Sequence, residues 1–190
     1  MHKYTNKPDI VDAVNNRILP RLREISLCAK ISQAMFNSNE SFNNTTFELD
    51  SLKISVGSDH RALTDPILDT GITMVRVMVQ FLGYTVSNQD LSLKPYSSKV
   101  DDITIESLNL PKPSKNPSDA DFIFASLTQA EIDAVKKVTV KTNNGVAHLT
   151  INETRTIGLD ELALACTSIQ KIVQRVVLNP LGANSIKVYW

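Results

Sequence analysis

The sequence predicts a mainly α-helical bundle packed around one central, buried helix. Apolar residues recur every three or four positions over long stretches near both ends of the chain. One segment, 65–82, is apolar over most of its circumference. Composition agrees: 190 residues with 42% hydrophobic content can build one domain with a core, and 21% charged residues at zero net charge are too few and too balanced for a disordered chain. A single helical domain over 1–190 is the expectation, interrupted by a long irregular excursion at 84–127 and ending in a tail at 181–190.

The first element is expected from about Pro8 to Phe36. Val11, Val14, Ile18, Leu22, Ile25 and Ala29 keep the helical period. Pro8 suits a first turn, whereas Pro20 removes a hydrogen bond and crowds the turn before it, predicting a kink or two abutting helices. Residues 37–46 are a polar loop. Phe47, Leu49, Leu52, Ile54 and Val56 then hint at short extended pieces.

Asp65-Pro66 reads as a cap followed by a first-turn proline, opening the central helix, and Gly83 can close it in the left-handed conformation. Segment 84–127 has no helical period and is rich in proline. Ile103 and Ile105 there suggest a short strand, and the excursion is expected to lie over the bundle. Thr128-Gln-Ala-Glu131 is a capping box that starts a third helix. Read alone, KVTVKTNNGVAHLTI at 137–151 resembles a hairpin around Asn-Gly, but the helix nucleated at Thr128 would then stop after about two turns. A helix to about Thr142 with a turn at 143–145 is favoured. A fourth helix spans about Leu159 to Leu178, with Leu162, Ala165, Cys166, Ile169, Ile172, Val173, Val176 and Val177 inward, and Asn179-Pro180 stops it. Trp190 is placed to pin the tail. Cys28 and Cys166 fall inside apolar helical stripes, where a cysteine acts as a small hydrophobe.

Several functions are excluded. No serine-nucleophile elbow, phosphate-binding loop or glycine-rich dinucleotide turn is present among only six glycines. Three histidines and two cysteines stand too far apart for a local metal motif, so neither a metal nor another cofactor is expected. No secretory leader and no apolar run of membrane-spanning length is found, which points to a cytoplasmic protein with no membrane role. Zero net charge and 6% aromatics give little support to a broad nucleic-acid surface. The basic stretch Arg17, Arg21, Arg23 and Lys30, interrupted by Glu24, reads as a solvated face.

Two features remain as candidate sites. His148, in KTNNGVAHLT, is preceded by Lys141, Asn143 and Asn144. A histidine beside cationic and amide groups can transfer protons near neutral pH or hold phosphate, although it can equally close a turn through local backbone bonds. The second is the polar row of the central helix, Asp69, Thr73, Arg76 and Gln80, at spacings of four, three and four. It is either a solvent strip with Asp69 and Arg76 neutralising each other, or a polar groove in which Arg76 holds an anion or orders a facing residue.

The KTNNGVAHLT segment resembles the Ala-His-Leu-Thr region of uncharacterised bacterial helical proteins and is loosely similar to helical domains of the HEPN type. Lys99-Val-Asp-Asp-Ile-Thr-Ile resembles the Asp-Asp segment that precedes it in those proteins, and the resemblance covers roughly residues 64–178. It implies a helical bundle, a homodimer and, in many members, metal-independent ribonuclease activity in toxin or defence systems. That activity uses an arginine, a polar residue after it, and a histidine four to six residues further on. Only His148 matches. The arginine position falls on Lys141, Thr142 or Asn143, and Lys141 carries charge without a guanidinium fork. The expected function is therefore self-association or binding of a protein partner by a degenerate HEPN-like bundle. The alternative is an RNA-cleaving enzyme with His148 as acid or base and Lys141 or Arg76 stabilising phosphorane charge.

Overall fold

A computed structural model describes residues 7–37, 46–49, 52–55, 61–99, 102–111, 114, 121–143 and 157–182. The first helical rod comprises α1 (Lys7–Ala13), a π-turn at Val14–Ile18 and α2 (Leu19–Asn37). Pro20 explains the wide turn. It offers no N–H to the carbonyl four residues back and its ring crowds that carbonyl, so the chain widens just before it, with Leu19 N–H bonding the Val14 carbonyl. The expected kink is absorbed as a π-turn, and the inward stripe of Val14, Ile18, Leu22, Ile25 and Cys28 stays buried across it.

Two short strands follow, β1 (Thr46–Leu49) and β2 (Leu52–Ser55), paired antiparallel with Thr46 opposite Ser55 and Leu49 opposite Leu52. The central helix, α3, runs Arg61–Phe81 and so begins a turn earlier than Asp65-Pro66 suggests. Pro66 sits inside it, near enough to the N-terminus that its missing hydrogen bond falls in the early turns, while Thr64 is completely buried there. Gly83, at φ 91°, turns the chain out of α3 in the left-handed conformation.

The excursion is more regular than its prolines suggest. It opens with an antiparallel hairpin of β3 (Tyr84–Val86) and β4 (Leu93–Pro95), in which Tyr84 faces Pro95 and Val86 faces Leu93. The strand expected at Ile103 and Ile105 is instead a 3₁₀ turn at Ile105–Leu108. The Thr104 N–H donates to Ser107 Oγ at 3.1 Å, closing the turn, and the i,i+3 spacing lets Ile105 and Leu108 bury together.

The helix α4 (Gln129–Asn143) occupies the stretch whose β-branched pattern also suited a hairpin. Its capping box is formed: Thr128 N–H donates to Glu131 Oε2 at 2.8 Å, and Glu131 N–H donates to Thr128 Oγ1 at 3.3 Å. Lys171 on the last long helix, α5 (Leu159–Val173), bonds the other oxygen of Glu131, so one carboxylate starts α4 and ties it to α5. A second π-turn, Gln174–Leu178, ends that helix before Asn179-Pro180. The expected turn beyond Asn143 and the tail with Trp190 lie outside the described residues.

The Lys171 ion pair first, and the Thr128 N–H after it, hold the Glu131 carboxyl below the usual glutamate range. A lowered folded value means stability that is present above the ordinary glutamate range and is lost as pH falls through the folded value. Glu131→Gln should therefore lower the melting temperature at neutral pH and flatten its decline on the acid side. Parallel acid limbs for variant and wild type would show that the carboxylate contributes no pH-linked stability.

The helices α2, α3, α4 and α5 pack as a bundle in which α3 and α5 each meet every other long helix. One continuous core joins them, reaching from Ala13 to Leu178 and taking in Tyr84, Ile105, Ile123 and Phe124 of the excursion. Cys28 and Cys166 are both buried and unbridged, as core cysteines. Their thiols meet, which draws the Cys28 value down and, together with burial, pushes Cys166 up. Among the described residues no helix is long and apolar enough to cross a membrane.

Candidate functional site

The polar row of α3 is half-buried, and its members point their chemistry in different directions. Thr73 donates to the Asp69 carbonyl at 2.9 Å, an internal helix bond that leaves its hydroxyl little further capacity as a donor. Arg76 reaches across to α4, where Nη1 donates to the Thr142 carbonyl at 3.2 Å. That carbonyl is one of the last four of α4, which have no acceptor role within the helix, so the guanidinium serves as a cap supplied by a neighbouring helix. Arg76 Nε is buried and has no hydrogen-bond partner among the described residues. Lys141, half-buried, adjoins Thr142, and Asn143 is the last residue of α4. Asn144 and His148 lie outside the described residues, as do His2 and His60.

Gln80, the last member of the row, lines a cavity of 230 Å³. Its walls come from three places: Arg17 in the π-turn and Arg21 just after it, Val77 and Gln80 of α3, and Tyr96 with Asp102 from the excursion. The geometry of each part follows from its local sequence. Pro20 creates the wide turn that carries Arg17, and the Arg21 guanidinium donates to the Arg17 carbonyl, binding the two arginines together on consecutive turns. Asp102 Oδ2 accepts the Tyr96 hydroxyl at 2.9 Å and the Lys99 N–H at 2.7 Å, which closes a small loop and fixes the carboxylate.

Those bonds set the charges. The Lys99 N–H first, and the Tyr96 hydroxyl next, hold Asp102 below the usual carboxylate range, so it is ionised at neutral pH. Burial, then the Asp102 contact, raises the Tyr96 phenol, with Arg76 opposing, so Tyr96 stays protonated as the donor. The cavity thus carries two guanidiniums, one amide, one phenol and one carboxylate around an apolar floor. Among the described residues no three His, Cys, Asp or Glu side chains are grouped to hold a metal.

Of the residues singled out by sequence, the fold brings Arg76 to the end of α4 beside Lys141, and it brings Gln80 to the cavity. Arg17, Arg21, Tyr96 and Asp102 were missed. The signal for the arginines is their spacing of four beside a helix-breaking proline, and Asp102 enters the sequence reading only through the resemblance of Lys99–Ile105 to an Asp-Asp segment. No protein-family model, curated protein or solved structure matches this chain.

Proposed function

We propose that the protein is a non-catalytic helical bundle that works by self-association through the open groove between α2 and α5. The groove measures 670 Å³, and its floor is built from small or short side chains, including Ala29 and Ala34 of α2 with Ala163 and Thr167 of α5. Ala34 and Thr167 are exposed there, while Ala29 and Ala163 are buried beneath them, and residues this short let a partner backbone approach closely. The rims carry opposite charge: Lys30 on the α2 side and Asp160 on the α5 side, where the adjacent Glu161 is paired with Lys137 of the same chain. A two-fold axis places the same patch of one copy on that of another, so Lys30 of each copy would meet the acidic rim of the other. Phe36, three residues beyond Gln33 of the groove, is 53% exposed and supplies a large apolar anchor at the edge.

The observation that carries this reading is the self-complementary charge across an uncovered apolar floor. Light scattering at high protein concentration is expected to give a dimeric mass. Ala34→Glu, at an exposed position on the groove, should give a monomer of unchanged helicity. Lys30→Glu should weaken the dimer, and the double change Lys30→Glu with Asp160→Lys should restore it by exchanging both rims. A monomeric wild type, or a dimer indifferent to Ala34→Glu, would overturn the proposal.

A further inference from the structure

The two cysteines meet where α2 and α5 lie side by side in the bundle. Cys28 and Cys166 sit near the middle of their helices, fully buried and unbridged, and their thiols share a hydrogen bond. Ser32, one turn on from Cys28 and also fully buried, brings its Oγ to 3.9 Å from the Cys28 sulfur. The backbone of α3 closes the other side at Gly71, where even a methyl group would collide with Cys28. The two sulfurs are not equivalent. The Cys166 thiol first, and the Ser32 hydroxyl against the opposing effect of burial, hold Cys28 below the usual thiol value. The same contact with Cys28, and then burial, push Cys166 well above it. Cover on the groove side is thin: Ala29 follows Cys28, Ala163 lies one turn before Cys166, and both alanines line the α2–α5 groove.

From this arrangement we infer that Cys28 and Cys166 are a peroxide-reactive pair that closes into a disulfide between α2 and α5. Cys28 is the attacking sulfur, because the thiolate is the nucleophile and two donors stabilise it there. It attacks one oxygen of hydrogen peroxide, the S–O bond forms and the O–O bond breaks, and the departing hydroxide leaves as water with the Cys28 proton. The Cys166 sulfur, already in contact, then attacks the Cys28 sulfenic acid. The S–S bond forms, the S–O bond breaks, and a second water leaves with the Cys166 proton. Two thiols and one peroxide thus give one disulfide and two waters, the sulfur pair losing the two electrons that the peroxide gains. An enclosed thiol is ordinarily inert, but hydrogen peroxide is scarcely larger than water and the resolving thiol is built in beside the first. The bond would close most of the chain into one loop and tie the first long helix to the last, restricting the unfolded chain. The reaction is intramolecular and does not rest on self-association.

Mass spectrometry of the full chain tests it, after treatment of the reduced protein with millimolar hydrogen peroxide and denaturation in excess iodoacetamide. The treated chain should weigh two hydrogens less than the reduced one, take up no alkyl group, and yield a peptide pair joining Cys28 to Cys166. Its melting temperature should rise by roughly 5–15 °C and fall back on reduction with dithiothreitol. Cys166→Ala should stop at a sulfenic acid on Cys28, trapped by dimedone, whereas Cys28→Ala should leave Cys166 reduced under the same exposure. The wild-type measurement needs no variant to fold. Two alkylated cysteines in the treated wild type, a disulfide that joins two chains, or a melting temperature that oxidation does not raise would each overturn the proposal.

Discussion

Gly71→Ala should destabilise the protein strongly, although alanine is the better helix former. A side chain at Gly71 would place its Cβ 2.1 Å from Cys28 Sγ and 2.3 Å from Cys28 Cβ, where carbon atoms normally stand about 3.5–4.0 Å apart. Gly71 lies in the middle of α3 and Cys28 in the middle of α2, both fully enclosed, so neither atom can swing into solvent. Replacing glycine inside a helix gains about 1 kcal/mol of propensity. Overpacking a rigid core costs about 1–3 kcal/mol and sometimes more, and an overlap this deep belongs at the top of that range. The net loss of about 2 kcal/mol should lower the melting temperature by roughly 4–8 °C in thermal denaturation. Cys28→Ala should rescue little, because the Cβ overlap remains. Cys28→Gly should rescue most of the added loss, as a coupling term in the double-mutant cycle. An unchanged melting temperature in Gly71→Ala would mean that α2 and α3 cross with more room than their contact at Cys28 allows.

Phe124→Ala is expected to cost about 3–5 kcal/mol, the range for removing a fully buried aromatic ring. Phe124 is 1% exposed and its ring meets that of Tyr84 at 5.3 Å between centroids, tilted by 53°. The pair fastens the turn before α4 to the first strand of the excursion. Arg175 tightens it from α5's π-turn, donating through Nη2 to the carbonyls of Phe122 and Ile123 at 2.6 and 2.7 Å. Burial, with the Asp121 carboxylate adding to it, pushes the Tyr84 phenol upward and keeps it neutral in the core. Phe122→Ala is the control, since that ring is 38% exposed and its loss should stay within about 0.5 kcal/mol. Urea unfolding of the three proteins checks both values. A small effect for Phe124→Ala would show that the excursion is not part of the cooperative core.

The cavity shows why its composition was hard to read in one dimension. Gln80 was found because its helical spacing is a property of neighbours in sequence. Tyr96 and Asp102 come from a segment with no period, and their relation to Gln80 depends on how the β3–β4 hairpin returns the chain over α3. Likewise Arg17 and Arg21 resemble any solvated basic stretch until the turn at Pro20 is known to wrap beside α3.

What the amino-acid order determined by itself is the set of helices, their inward faces and most of their ends. Those depend on periodicity, on the Thr128–Glu131 capping box, on Gly83 and on the prolines, all of which act within a few residues. It also identified the polar row of α3 and the burial of both cysteines. Tertiary structure alone decided that Arg76 caps α4, that Ile105 enters the core on a 3₁₀ turn, that Gly71 yields space to Cys28, and that five polar side chains from three separate segments surround one cavity. These are meetings between residues tens of positions apart, set by the packing of whole faces, and no local pattern encodes which face meets which.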